Sequence, residues 1–398
     1  MTRSAAARSS LVFLAAALSV ADSTRAGIWY SEPVLGLAAD YSTNPGLLNA
    51  PHTAETHGAV LIDGSTTYHA DGVSLALQPS LRLTDSAGYS TLGSDYEHLA
   101  SSAKLVTERD ALTLSGQAAR DSSLYYNYAV NGSTGVRRDS TLVDAAWTHD
   151  FTERLNVGAD VNSSRVLYGK SYGRASLTDY RYSSAAPTLS YQLSERSTLD
   201  AGGSVGKYVS ADGTTKSVNY SLELGFMRRI DEAWSVTAKG GASRETNSIA
   251  EYSGRRLLAT PTSTTNGSVF TANLSRQGLL FGMNATASRS LVPTGFAYLA
   301  RQDSYQVGVN YTASDRWTFE GHANWLRSRV PQTAAPDSVQ TYENVGLSTT
   351  WLLTEKWTLT LRASRLVAKS STATVPASGA GLQFSRRFDR IKWHRTAP

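Results

Sequence analysis

One phrase recurs along this chain: a short polar turn, an aromatic or apolar residue, then a strand alternating polar and apolar positions. It reads TEKWTLTLRAS at 354–364, SDRWTFEGHANW at 314–325 and DEAWSVTAKGGA at 231–242. Related turns stand at LVTERDAL (105–112), FTERLNV (151–157), LSERSTL (193–199) and LSRQGLL (274–280), at intervals of about forty residues. Solenoid repeats would keep their core spacing more strictly. Here only the turn and its flanks recur, which is the layout of antiparallel hairpins with short turns at one end and long loops at the other.

The flanks carry a period of two. Trp357, Leu359, Leu361 and Ala363 oppose Thr358, Thr360, Arg362 and Ser364, and Tyr220, Leu222, Leu224 and Phe226 oppose Asn219, Ser221, Glu223 and Gly225. Alternation sustained over ten residues or more gives strands with one apolar and one polar face. The stretches between them, such as DSSLYYNYAVNGSTGVRRDS, are rich in Ser, Gly, Asn and Tyr and read as loops. Pro79 and Pro187 fall inside strand-like runs, where proline weakens the ladder.

Long strands with short turns at one end describe an all-β, transmembrane, antiparallel up-and-down outer-membrane β-barrel. Lipid offers no hydrogen-bond partner, so a spanning sheet has to close on itself. Eighteen strands can be counted between residues 33 and 388, or sixteen if the region 54–107 is misread. Aromatic residues gather beside the short turns at Phe151, Trp234, Trp317, Trp351 and Trp357, as an interfacial girdle requires. Trp325 lies on the same face as Trp317, roughly 21 Å higher for a strand tilted about 40°, which places it near the opposite girdle.

The N-terminus, MTRSAAARSS followed by LVFLAAALSVA, reads as a secretory signal peptide over 1–26. The barrel is expected over 27–388 and a short periplasmic tail over 389–398. A Gram-negative outer-membrane location follows from signal peptide and barrel together. Cysteine is absent, which excludes disulfides and thiolate metal sites. Charged residues make up 18% of the chain and the net charge is +5, with no basic run interleaved with aromatics that would suit nucleic acid.

The opening PVLGLAADYSTNPGLL and the segment SRSLVPTGFAYLARQDSYQVGVNYTASDRWTFEGHANW resemble the "β-barrel porin, type two" group of outer-membrane proteins. That resemblance implies an outer-membrane barrel and a part in exopolysaccharide export, and it supplies no catalytic residues. The partners expected are outer-membrane lipid, the barrel-assembly machinery, and polysaccharide or periplasmic export components.

Candidate pore-lining residues on the polar faces are Asp144, Asp160, Glu223, Arg229, Lys239, Glu320, His322, Arg362 and Arg387. Their mixed signs would set solute preference by charge, without a single-sign ladder. Loop tyrosines Tyr125, Tyr126, Tyr128, Tyr168 and Tyr172 could stack on sugar rings. His322, two residues from Glu320, is the one attractive position for rim catalysis, and two polar residues lining water explain it more simply. No metal-ligand spacing or phosphate loop appears, so neither enzyme chemistry nor a cofactor is expected. The first reading is a pore for a hydrophilic solute, the second a plugged barrel that docks a partner, and the remote third a rim enzyme.

Overall fold

The computed structural model describes residues 27–45, 47, 53–86, 96–122, 136–169, 177–253, 256–329, 339–370 and 373–395. The expected signal peptide therefore lies outside the described residues. In chain order the strands are β1 (Gly27–Ser42), β2 (Glu55–Ala70), β3 (Val73–Ser86), β4 (Tyr96–Val106), β5 (Asp110–Ser122), β6 (Arg137–Asp150) and β7 (Leu155–Tyr168). Next come β8 (Tyr180–Ser194), β9 (Ser197–Ser210), β10 (Thr215–Arg229), β11 (Trp234–Ile249), β12 (Glu251–Ser253), β13 (Arg256–Ala259) and β14 (Thr262–Gln277). The last are β15 (Phe281–Pro293), β16 (Leu299–Ser314), β17 (Trp317–Arg329), β18 (Val339–Leu352), β19 (Trp357–Lys369), β20 (Thr374–Arg387) and β21 (Ile391–Arg395).

Apart from the small β12–β13 hairpin, all join one antiparallel sheet of 19 strands. β20 pairs with β1 between Gly379–Arg387 and Val34–Ser42, so the sheet closes. Because β21 only prolongs β20 along β1, the barrel has 19 − 1 = 18 staves. Residues 54–107 do contribute full strands, so the sixteen-strand alternative falls.

The recurrent turn has a local cause. Its first side-chain oxygen accepts backbone N–H groups two and three residues on, folding the corner before any strand pairs. Asp231 accepts from Ala233 at 2.8 Å and Trp234 at 2.7 Å. Thr354 accepts from Lys356 at 3.3 Å and Trp357 at 3.2 Å. Thr152 does the same for Arg154 and Leu155. Pro79 and Pro187 remain in strands because the ladder skips them on one side: β2–β3 pairing is interrupted at Gln78–Pro79, and β8–β9 pairing at Ala186–Pro187.

The tail expected over 389–398 is corrected. Ile391–Arg395 forms β21 against Gly27–Ser31, with the backbone of Trp393 opposite Trp29. Three residues, 388–390, face two, Glu32 and Pro33, at a bulge where Phe388 donates its N–H to the Pro33 carbonyl at 3.0 Å. Proline has no N–H to return, which breaks the ladder there. Without β21 the Gly27–Ser31 segment of β1 would be an open sheet edge, a costly feature in any barrel.

Register carries one alternation around the circuit, with shifts only near the short-turn end at Gln192/Ser194, Thr312/Ser314 and 388–390 among the described residues. One face bears Leu37 (61% exposed), Leu222 and Leu224 (both 69%) and Leu347 (66%). Leucines so exposed in a complete sheet call for an apolar solvent. The other face is the interior, as contacts across the barrel prove. On that face Val166, Tyr180 and Tyr208 of β7–β9 pack against Leu299 at the start of β16. Three strands, β10, β11 and β14, separate β9 from the β15–β16 hairpin along the wall, so the contact passes through the lumen.

Candidate functional site

The lumen at the long-loop end is narrowed by the tip of the β15–β16 hairpin. β14 pairs with β15 only as far as Phe270 opposite Arg289, whereas β15 and β16 stay paired to Pro293 opposite Leu299. Freed from β14, the tip bends inward. Tyr208 donates its phenol hydrogen to the Thr294 carbonyl at 3.1 Å, and the Thr178 N–H reaches the Gly295 carbonyl at 2.7 Å. A Cβ on Gly295 would meet the end of the Tyr168 side chain at 2.7–2.8 Å, so a larger residue would have to displace Tyr168. The tip also braces itself: Thr294 donates through N and Oγ1 to the Tyr298 carbonyl. Burial pushes the Tyr298 phenol up to about 12, so it stays neutral. Arg301 bridges the gap left beside β14 by donating to the Asn266 carbonyl at 3.4 Å.

Below this narrowing the interior wall carries charges of both signs. The register places all nine candidate pore-lining residues on the interior face. Asp144 and Asp160 are diagonal neighbours on β6 and β7. Farther along, Lys239 crosses Gly225 to reach Asp200 at 3.6 Å, and a Cβ on Gly225 would meet Lys239 at 2.7 Å. With Glu223 of β10 these side chains form an acidic arc over β6–β10 relieved by one lysine. β19 lies nine staves from β8 in the eighteen-stave circuit, diametrically across the lumen. It carries Arg362, which hydrogen-bonds Gln383, and neighbouring β20 ends in Arg387. Arg362, Asp160 and Lys239 each lie five residues from the short-turn end of their strands, so Arg362 faces the acidic arc at one level, with Asp40 of β1 and Glu320 of β17 as acids on its own side. Arg229 and Arg387 sit at the short-turn mouth.

Glu320 and His322 line a recess of about 500 Å³ against β14–β17, together with Gln277, Asn284 and Asn310. Glu320 accepts from Ser348 at 3.3 Å, and the His322 ring lies over Gly346, where a Cβ would overlap it. Among the described residues no three of His, Cys, Asp and Glu are grouped to hold a metal.

The interfacial candidates Trp234, Trp317, Trp325, Trp351 and Trp357 occupy the outward face, and Phe151 is exposed in its turn. Trp317 stacks on Trp351 at 5.1 Å, and Trp357 on Phe384 at 4.7 Å. Of the loop tyrosines only Tyr168 is described, and it meets Tyr180 at 6.5 Å. Tyr125, Tyr126, Tyr128 and Tyr172 lie outside the described residues.

Several interior residues had not been singled out by alternation: the Asp40–Arg82 pair, the buried Asp121–Arg138 pair at 2.8 Å, and the infolded tip itself. The tip left a legible mark in LVPTGFAYL, a loop almost without polar residues, where the other long loops are rich in Ser, Thr and Asn.

No family model matches the chain, so the resemblance to the type-two porin group has none behind it, and no curated protein matches either. Among solved structures, Pseudomonas aeruginosa OccK3 (OpdO) is 14% identical, with 91% of this chain and 96% of that one covered, at a TM-score of 0.44. Acinetobacter baumannii OccAB2 is 11% identical, with 90% and 98% covered, at 0.47. OccK2 (OpdF) of P. aeruginosa, solved in complex with glucuronate, is 12% identical, with 90% and 98% covered, at 0.45. Likenesses this loose leave the function to the chain's own geometry.

Proposed function

We propose that the chain is an outer-membrane barrel that passes a small hydrophilic solute through its lumen, without catalysis. The observation that carries this reading is the closed eighteen-stave wall with exposed leucines outside and a polar interior face of mixed charge, in which an acidic arc over β6–β10 faces Arg362. Barrels of sixteen to eighteen strands are wide enough to leave an aqueous channel. Charged rings at a constriction select solutes by sign and orientation. On this reading the short turns face the periplasm and the long loops face outward.

The infolded tip favours a small solute over an exopolysaccharide strand, since a sugar polymer would have to thread past Thr294–Tyr298. Reconstitution in planar bilayers tests the proposal: discrete conductance steps are expected, and polymers above roughly the size of a short oligosaccharide should fail to enter. A folded barrel without conductance would favour the plugged docking barrel instead.

A further inference from the structure

The outward face of β7–β11 changes character abruptly toward the long-loop end. Its middle is apolar, with Val161 (52% exposed), Val205 (41%) and Leu222 (69%). Immediately above stand Arg165, Arg181, Lys207, Lys216 and Arg244, one per strand and all exposed. Arg165 and Arg181 are directly opposed in register. Arg181 lines up with Val209, and Val209 in turn with Lys216. Lys207 sits two residues from Val209, and Arg244 opposes Tyr220 one step lower.

The outward positions of these five strands contain no Asp or Glu. Acids bordering the patch have partners, among them Asp212 in the β9–β10 turn, which accepts from Ser210 and Thr214. Asp139 on β6 is held by Arg120 at 2.8 Å and Arg137 at 3.1 Å, and Asp179 accepts the Tyr168 N–H at 2.7 Å. Like charges directly opposed across a ladder destabilise it. Cations that merely snorkel need no such clustering. Together they leave a cationic field at the depth where apolar lipid chains give way to headgroups.

We propose that this patch binds the phosphorylated sugar headgroup of a glycolipid in the outer leaflet, with arginine forks taking its phosphate oxygens. The geometry suits it: guanidinium groups bind phosphate bidentately, and the apolar residues directly below accommodate the acyl chains. The inference rests on the membrane reading above and adds its lipid.

The test uses the full barrel refolded into phosphatidylcholine vesicles, with heat-modifiable gel mobility as the check on folding. Diphosphoryl lipid A, its dephosphorylated form and inorganic phosphate are the probes. Wild type should retain the diphosphoryl lipid at least about ten-fold better than the dephosphorylated one, and the R165Q/R181Q/K207Q/K216Q variant should lose that preference. Equal retention of both lipids by wild type would overturn the proposal, and this arm needs no variant to fold. Wild-type retention by a folded variant would overturn it too, as would displacement of the lipid by inorganic phosphate at equal concentration. A chain that never enters the vesicles would sink the membrane reading itself, a result distinct from entry without lipid discrimination.

Discussion

Glycine at a handful of interior positions decides where the charged side chains can lie. Gly225 lets Lys239 pass over it to Asp200, and Gly346 leaves room for the Cε1–Nε2 end of the His322 ring. The Lys239–Asp200 pair is partly exposed and contributes at most about 1 kcal/mol to stability. Its weight is electrostatic, because it neutralises one member of the acidic arc. Lys239→Ala should therefore leave the barrel's mobility on gels unchanged while raising its cation-over-anion permeability on the order of two-fold at low salt. Reversal potentials under a salt gradient measure this, and an unchanged ratio would mean that the arc does not face the conduction path.

At the scale of the element, the β15–β16 hairpin leaves the wall and enters the lumen. Its tip is anchored by the Tyr208 phenol and strained at Ala297, whose φ of 62° lies in the left-handed region. A non-glycine residue there costs about 1–2 kcal/mol. The two features predict opposite variants. Tyr208→Phe removes one buried hydrogen bond, worth about 1 kcal/mol, and should speed amide exchange at Thr294 and enlarge the conductance. Ala297→Gly relieves the strain and should slow the same exchange. Identical exchange in both variants would show that neither contact holds the tip.

For the whole molecule, closure is the governing event, and it is built from both ends of the sequence. β20 meets β1, and β21 then seals the first five residues of β1 beyond the bulge at 388–390. Deleting residues 389–398 should leave a barrel that still shifts on heating, since β20 continues to pair with β1, but unfolds at a lower temperature because five residues of β1 lose their β21 partners and keep only β2. Complete loss of the shifted band would mean that β21, rather than β20, nucleates closure.

Alternation and turn chemistry are local, so the strands were legible in the residues alone, as was the face that Trp234, Trp317, Trp351 and Trp357 share. The interior face of Asp144, Glu223 and Arg362 was legible for the same reason: a period of two leaves a polar residue only one place to point once the wall closes. Which interior residues meet is a matter of stave order and register, and no local pattern encodes it. The opposition of Arg362 to the acidic arc, the reach of Lys239 to Asp200, and the folding of LVPTGFAYL into the lumen each depend on strands far apart in the chain. β21 belongs with them, because a ten-residue tail looks unattached until the unpaired edge of β1 is in view. The membrane's demands on every hairpin are thus inscribed locally, whereas the lumen takes its shape only from tertiary closure.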